Sequence, residues 1–177
     1  QTQRLNTNIS LRKRVSSLGL RYTLKNRNLY TTSNALVNLV RNNVTTKNHF
    51  FSASIENYNK NILDIKLGAS YTLNHTSFSI VKDLNRKFTK LQYFSMFDYD
   101  INKRLNINTQ FDYLIFTDNK FSNNSELLLW NAAISYNLSK NNNILKLVLI
   151  DILDKNIDIY RRSTINYFEE STTQSLG

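Results

Sequence analysis

Apolar and polar residues alternate with a period of two along most of this chain. Between residues 63 and 71 the odd positions hold Leu63, Ile65, Leu67, Ala69 and Tyr71, and the residues between them are polar or glycine. Successive side chains of a β-strand point to opposite faces, whereas a helix would scatter the same residues around its surface. The pattern therefore predicts a strand with one apolar and one polar face.

The same alternation recurs about eight times. A second clear example covers residues 105–115, where Leu114 is the one apolar residue on the polar face, and weaker examples cover 5–11, 18–24, 49–58, 91–99, 128–136 and 145–149. Several of these segments approach the ~9–11 residues that a tilted strand needs to cross a bilayer. The sequence therefore predicts an all-β protein of about eight antiparallel strands.

The connections between these strands are expected in two lengths. Short polar turns are predicted at 12–17, 59–61, 100–104 and 139–143, and long polar loops at 25–48, 72–90, 116–126 and 155–177. This contrast is typical of an up-and-down barrel in an outer membrane, whereas a soluble sandwich mixes its connection lengths. The chain has no Pro and three Gly, so we expect its 27 Asn residues, which tolerate left-handed backbone, to make the turns.

The residue types that most catalytic and cofactor sites need are missing or scattered. The chain has no Cys, which excludes disulfides, thiol nucleophiles and Cys-based zinc sites. It contains neither a glycine-rich phosphate loop nor a G-x-S-x-G motif. His49 and His75 fall in or beside predicted loops without a spaced partner, so we expect no metal site. The sequence therefore predicts a protein that is not an enzyme and holds no cofactor.

Acidic residues form two groups near the end of the chain. Asp151 and Asp154 follow a predicted strand, and we expect them to cap backbone N–H groups in a turn rather than to form a catalytic carboxylate pair. Glu169 and Glu170 could bind a cation together with Asp158, but solvated surface charge is the simpler interpretation. Neither group therefore indicates a site.

No run of about 18 apolar residues is present, so the sequence predicts no transmembrane helix. The first residues are polar and lack the basic-then-apolar layout of a signal peptide. Mean hydropathy is −0.43, which ordinarily favours a soluble protein. Outer-membrane barrel strands are only half apolar, so this average does not exclude that class.

Aromatic residues lie near many predicted strand ends, where outer-membrane barrels carry girdles of rings at both membrane interfaces. Cross-strand packing in a soluble sheet is the alternative interpretation. The ten residues are Tyr22, Phe50, Phe51, Tyr58, Tyr71, Tyr93, Tyr99, Phe116, Trp130 and Tyr136.

The chain carries 23 Lys and Arg against 13 Asp and Glu, a formal net charge of +10. On a barrel, loop cations could contact lipopolysaccharide phosphates, and inward-pointing cations would influence which solutes enter the interior. A solvated charged surface is the simpler interpretation. Nucleic-acid binding is disfavoured, because the strand aromatics mostly share the aliphatic face and no recognition module is present. The basic clusters are Arg12, Lys13 and Arg14; Lys82, Arg86, Lys87 and Lys90; and Arg161 with Arg162.

Three short segments carry a family resemblance: 128–131 (LLWN), 151–156 (DILDKN) and 166–171 (NYFEES), to which the alternating Asn residues of 106–113 add a fourth. Together they resemble the C-terminal barrel region of TonB-dependent-receptor-like β-barrel proteins, an outer-membrane family of Bacteroidetes. In that family a segment rich in Asp, Leu and Asn follows the penultimate strand. A loop ending in Leu-Gly then leads to the last strand, and Leu176 and Gly177 match the end of that loop.

The resemblance covers most of the chain from about Leu5 onward. It implies an antiparallel up-and-down transmembrane β-barrel in a bacterial outer membrane, with residues 1–177 as part of a single domain. Neither a plug domain nor an energy-coupling box is recognisable, and the closing strand is missing. We therefore expect a C-terminal portion of a larger barrel.

The resemblance also implies an activity, which is receptor- or transporter-like uptake or passage of a ligand, driven by an inner-membrane energy-coupling protein. The expected partners are outer-membrane lipid and lipopolysaccharide, together with other outer-membrane or periplasmic subunits. Two alternatives stay open at this point. One is a non-transporting structural or docking barrel subunit of a larger outer-membrane complex, and the other is a soluble all-β binding module.

Overall fold

A computed structural model of the protein describes residues 2–37, 40–58, 62–80, 82–118, 125–138, 143–154, 157–163 and 168–174. Eight strands form one open antiparallel sheet in chain order. The prediction of an all-β fold with about eight up-and-down strands is confirmed. The strands of this sheet are β1 (Thr2–Val15), β2 (Leu20–Val37), β3 (Val40–Asn57), β4 (Leu63–Phe78), β5 (Arg86–Asp100), β6 (Leu105–Asp118), β7 (Ser125–Asn137) and β8 (Ile144–Leu149).

The remaining elements are small. Two 3-10 helices, Ser16–Leu18 and Lys82–Leu84, lie in connections, and β9 (Ile157–Ser163) pairs with β10 (Phe168–Gln174) in a separate two-stranded sheet. The prediction of one loop over 155–177 is therefore wrong, because most of that segment is a hairpin. Residues 155–156, 164–167 and 175–177, which carry part of the family resemblance, lie outside the described residues.

The long loops predicted at 25–48 and 72–90 are also wrong, because strands occupy much of both segments. The loop predicted at 116–126 is shorter at both ends, and its residues 119–124 lie outside the described residues. β2 and β3 meet in a long hairpin, and β4, β5 and β6 extend into the predicted loops. Both faces of these extensions are largely polar, so the hydropathy alternation disappears although the backbone pairing continues. Threonine, a favoured strand residue, pairs across them, with hydroxyl oxygens 3.5 Å apart between Thr32 and Thr45 and between Thr46 and Thr76. The predicted contrast between short turns and long loops is therefore lost.

The register places most of the apolar residues of the eight-stranded sheet on one side. We call it the apolar face: the odd-numbered residues of β1, β3, β4, β5, β6 and β8 and the even-numbered residues of β2 and β7. The other side is the polar face. We call the end with the connections after β1, β3, β5 and β7 the lower end, and the opposite end the upper end. One row of directly opposed residues on the apolar face consists of Leu11, Leu24, Ala53, Ala69, Tyr93, Tyr113 and Leu128.

The apolar face is more exposed than the polar face, which is the opposite of what soluble proteins usually show. On the apolar face Leu11 is 63% exposed and Leu24 54%. A single-layer sheet buries one face only by curving, so that the side chains of that face converge. The sheet is therefore concave on its polar side. The most buried side chains of the described strands all belong to the polar face: Thr23, Asn42, Ser70, Phe78, Arg86, Asp112, Leu114, Asp118, Leu127 and Ala133.

The strands contact mainly their neighbours in the sheet. The accessible surface is 12500 Å², whereas a compact monomer of this mass exposes about 8,900 Å². Within the ranges that the structure describes, no second sheet or helical layer covers the apolar face. A broad apolar surface is consequently left open.

Asn contributes to the turns through its side chain. The Oδ1 atom of Asn102 accepts hydrogen bonds from the backbone N–H groups of Arg104 (2.8 Å) and Leu105 (3.0 Å). The expectation of left-handed Asn is wrong for the described residues, because their positive-φ residues other than Gly are Asp151 (52°) and Asp154 (50°). Amide side chains satisfy the turn backbone here without a left-handed conformation.

Gly68 is required by close packing on the polar face of β4. It lies opposite Ser54 of β3 and Phe94 of β5. A Cβ atom at this position would lie 2.7 Å from the carbonyl oxygen of Ala53 and 2.9 Å from Cε1 of Phe94. The ring can rotate away, but the carbonyl belongs to a paired strand and cannot move without shifting the backbone.

We therefore expect Gly68→Ala to lower the free energy of unfolding by about 1–3 kcal/mol, as overpacking does elsewhere. The measurement is denaturant unfolding, followed by circular dichroism. The control Ser95→Thr adds one carbon to the apolar face of β5, and we expect a change within ~0.5 kcal/mol. Unchanged stability in Gly68→Ala would show that the β3 backbone adapts without penalty.

Candidate functional site

Amide side chains bind a buried carboxylate in the middle of the polar face. Asp112, on β6, is 7% exposed. Its Oδ1 atom accepts a hydrogen bond from Nε2 of Gln92 (2.8 Å) and its Oδ2 atom accepts one from Nε2 of Gln110 (2.7 Å). A buried carboxylate without such donors would be strongly destabilising. The three side chains therefore form a satisfied polar cluster.

A buried ion pair lies on the polar face near the upper end. Nε of Arg86 donates to Oδ2 of Asp118 at 2.7 Å, and a second guanidinium nitrogen contacts the same oxygen. The two side chains are 6% and 0% exposed. Beside the pair, the rings of Phe88 and Phe116 stack with centroids 6.1 Å apart. The sequence-based placement of Arg86 in a solvated loop is wrong, because its strand carries it into the concave side.

The polar face is electrostatically divided. β1 and β2 contain no acidic residue, and Arg14 and Arg21 lie directly opposite each other. Glu56 on β3 offsets this repulsion with Oε1 3.3 Å from Nε of Arg21, and the Tyr58 ring lies 5.7 Å from the Arg14 guanidinium carbon. The cations that β1 and β2 place on this face are Arg4, Arg12, Arg14, Arg21, Lys25 and Arg27.

Acidic residues dominate the same face on the far side of the sheet. Asn106 donates through Nδ2 to the carboxylates of both Asp98 and Asp100 near the lower end of β5 and β6. Lys66, Arg86 and Lys90 are the cations on β4–β6 here. An anionic group lying along the concave side would therefore be drawn toward β1 and β2. The carboxylates of β4–β6 on this face are Asp64, Asp98, Asp100, Asp112 and Asp118.

Aromatic rings pack against one another on the apolar face. Tyr93 stacks on Tyr113 with centroids 6.5 Å apart, and Phe111 stacks on Trp130 at 5.1 Å. Nε1 of Trp130 donates to Oγ1 of Thr109 at 2.8 Å, which satisfies the indole within this face. Three of the ten predicted girdle residues, Phe50, Tyr58 and Phe116, fall on the polar side, because their parity differs from that of their neighbours. Phe51, Tyr71 and Tyr93 lie on the apolar face but well inside β3, β4 and β5, so their predicted position near strand ends is wrong.

A groove crosses the apolar face over β1–β5. Its volume is about 360 Å³. Ala53 and Ala69 are directly opposed, and these small residues lie between larger neighbours. The groove exists because the sheet has no bulky side chain at this point. Its lining includes Ile9, Leu11, Leu24, Phe51, Ala53, Ala69, Tyr71 and Leu91.

A row of basic residues lies above the groove on the same face. Lys47 is directly opposite His75, which is directly opposite Lys87, and all three side chains are exposed. Nζ of Lys47 lies 5.8 Å from the ring centroid of Tyr30. Side-chain hydrogen bonds with Thr32 and Thr45 lower the pKa of Tyr30. We call Lys47, His75 and Lys87 the basic row.

The candidate metal residues do not converge. His75 lies within β4, so its predicted position in a loop is wrong. His49, predicted at the start of a strand beside a loop, lies within β3, and its Nδ1 hydrogen-bonds Oδ1 of Asn28 (2.7 Å). The described residues contain no group of three or more His, Cys, Asp or Glu able to hold a metal ion. In the backbone register of β9 and β10, Glu169 and Glu170 lie opposite Arg162 and Arg161, whereas Asp158 lies opposite Thr173.

The segment after β8 forms a tight turn. The backbone N–H of Asp154 donates to the carbonyl of Asp151 at 2.8 Å, and the N–H of Asp151 donates to Oδ1 of Asn131 (2.8 Å). The N–H of Ile152 donates to the carbonyl of Trp130 (2.8 Å). The prediction of a turn here is therefore confirmed, and Asn131 on β7 caps its first backbone N–H.

Sequence reasoning missed the polar clusters and the basic row. Asp112, Gln92, Lys47 and His75 are far apart along the chain and resemble ordinary surface residues. Only the cross-strand register brings them together. The alternation of 91–99 and 105–115 predicts the face on which Gln92 and Asp112 lie but not which residues are neighbours across the strands, and at the basic row both faces are polar.

Comparison with known proteins gives no relative: no family model, no curated protein and no solved structure matches the chain. Among the residues that the structure describes, no helix is long and apolar enough to cross a membrane.

The buried ion pair allows a test of the concave face. Asp118→Asn leaves the Arg86 charge without its buried carboxylate, so we expect a loss of about 3–5 kcal/mol in the free energy of unfolding. Glu56→Gln removes the partner of the more exposed Arg21, and we expect a loss of at most ~1 kcal/mol. Denaturant titration measures both losses. Equal losses would contradict the burial of the Arg86–Asp118 pair.

Proposed function

We propose that this chain is part of a β-barrel in a bacterial outer membrane, with its apolar face against lipid and its polar face lining a hydrated interior. One observation carries the proposal, namely the inverted burial of the sheet. Soluble monomers rarely expose contiguous apolar patches larger than a few hundred Å², whereas this apolar face extends across all eight strands of the open sheet. Barrels of outer membranes show the same alternation of apolar-out and polar-in residues.

The dimensions of the apolar face support this placement. Along β4, apolar residues alternate from Leu63 to Leu73, ten residue steps that span ~33 Å of strand. At the ~40° tilt of barrel strands this corresponds to an apolar band of ~25 Å, which is the height found in outer-membrane barrels. Above Leu73 the same face turns polar at His75 and Ser77. We call the apolar part of this face the apolar belt.

For the activity, we propose receptor- or transporter-like passage of a ligand along the concave polar face. The division of charge supports this role, because cations on β1 and β2 face a side of the sheet dominated by carboxylates. A charged ligand would be oriented between them. The family resemblance described above adds an energy-coupling partner to this proposal.

A second candidate is a non-transporting docking subunit of a larger outer-membrane complex. The observation that favours it is the open sheet, in which β1 and β8 have one strand partner each. Sheet edges pair readily with further strands. β8 also exposes apolar residues on both faces, for example Leu145 (63%) and Val148 (51%), so its surroundings on both sides would be apolar.

The lipid placement predicts opposite surroundings for neighbouring residues of β6. The chain has no native Cys, so Ile107→Cys and Asn108→Cys can each carry a single spin label. In lipid bilayers we expect the label at 107 to be accessible to oxygen and the label at 108 to a water-soluble nickel reagent. Equal accessibilities at both sites would contradict the proposal, and so would a chain that is monodisperse without detergent.

Passage along the polar face predicts a face-dependent effect of charge. Arg14 lies on the polar face and Lys13 on the apolar face. In planar bilayers containing the chain, we expect Arg14→Gln to shift the reversal potential of a salt gradient toward cation selectivity, because a lumenal cation is lost. Lys13→Gln should leave it unchanged. Absence of any conductance would favour the docking subunit instead.

A further inference from the structure

The edge strand β1 offers a long row of backbone groups to a further strand. Its 14 residues pair with β2 without interruption from Thr2 to Val15, and no described strand pairs with its other side. About half of its N–H and C=O groups therefore point away from β2, in the pattern that an added antiparallel strand would bind. The opposite edge is less suited to this, because β8 has six residues and is followed by a turn.

The lower end of this edge is positively charged on the polar face. Arg14 lies directly opposite Arg21, and Arg12 lies on the same face two residues before Arg14. From the β3 side, Oε1 of Glu56 contacts Nε of Arg21 at 3.3 Å. Arg12 and Arg14 are exposed and belong to the edge strand, so a further carboxylate can approach both of them from the open side.

The apolar face of β1 reaches the same edge. Leu5, Ile9 and Leu11 are 64%, 56% and 63% exposed. Side chains of an added strand would alternate between the two faces. Its residues opposite these three positions should therefore be apolar, and the residues between them should suit the polar face.

We propose that the β1 edge docks an antiparallel strand of a partner protein, apolar on one face and acidic on the other where it lies opposite Arg12 and Arg14. Main-chain hydrogen bonds would hold the strand, and the two arginines would select carboxylates. This inference rests on the second proposed function, the docking subunit, and names the chemistry of its partner.

Charge complementarity selects this occupant over a second copy of the chain. Inward-pointing charges on an edge strand are a usual device against unwanted pairing. Here they oppose both described edges of the sheet in a second copy, because β1 would bring its own arginines and β8 would bring Lys146 to the polar face. An acidic strand turns the same repulsion into attraction, so the arginines act as a selective barrier.

The test uses the full chain in detergent and a fluorescent peptide of about 11 residues, a usual length for a membrane-crossing strand, in which Val alternates with Glu. In an anisotropy titration we expect it to bind about tenfold more tightly than the same peptide with Gln in place of Glu, because cross-strand pairs of opposite charge stabilise a sheet.

Substitutions on β1 should change this preference. Arg12→Gln/Arg14→Gln should bind the Glu peptide about tenfold more weakly, whereas the control Lys66→Gln/Lys90→Gln, which removes the same charge from the polar face of β4 and β5, should bind as the unsubstituted chain does. Arg12→Glu/Arg14→Glu should prefer a peptide with Lys in place of Glu, a gain of binding that misfolding would not produce.

Disulfide trapping locates the bound peptide, since the chain has no native Cys. Ser10→Cys, on the polar face of β1, should cross-link to a peptide with Cys in place of a central Glu. Leu11→Cys, on the apolar face, should cross-link to a peptide with Cys in place of a central Val. Lys146→Cys on β8 is the control and should cross-link to neither.

No binding of the Glu peptide, equal binding of the Glu and Gln peptides, or cross-linking at Lys146→Cys instead of Ser10→Cys would overturn the inference. In the last case the docking function would stand with β8 as its edge. Chains cross-linked to each other through Ser10→Cys would also overturn it, because a second copy would then cover this edge. Conductance in planar bilayers by the chain alone, with no peptide captured at either edge, would refute the docking function itself.

Discussion

A single-layer sheet has two faces that must each meet a suitable environment. In this protein one face stays mainly apolar across the strand pairings, from Leu11 on β1 to Leu128 on β7, whereas β8 carries apolar residues on both faces. Because the side-chain period is two, a slip of one residue at any pairing would move an entire strand's apolar residues to the wrong face. The register is therefore what keeps the two faces different. In the proposed placement, an apolar solvent for one face is as necessary to this fold as water is for the other.

The concave polar face brings its own constraint, because curvature crowds groups that need hydrogen bonds. Asp112 is satisfied by two glutamines, and Asp118 is paired with Arg86. Gly68 leaves room for the ring of Phe94 on the same side. Buried polar clusters of this kind stabilise only when their members are satisfied, and each then restricts the geometry of its neighbours. The concave side is consequently the more specifically packed of the two faces, although its residues are the more polar.

The sequence predicted the parts of the fold that depend on local hydropathy. Residues 63–71 and 105–115 alternate clearly, and both their strand assignment and their faces are as expected. The strand extensions were missed because neither of their faces is apolar, so a paired Thr- and Asn-rich strand has the composition of a loop. Hairpin β9–β10 was missed for the same reason. The positions of Arg86 and Lys47 followed from pairing between strands, and pairing is a non-local property that one sequence does not display.

The two edges of the sheet differ chemically, so β1 and β8 would suit different partner strands. β1 is exposed and rich in Asn and Arg on its polar face, whereas β8 carries Ile144 and Val148 on that same face, 62% and 51% exposed. β8 is also short, because Asn131 of β7 captures the backbone N–H of Asp151 and the chain turns away with φ of 52°. A partner strand at β1 would therefore face a charged, hydrated concave side. A partner at β8 would meet apolar side chains on both faces, so in the proposed barrel the hydrated part of the interior would end on that side.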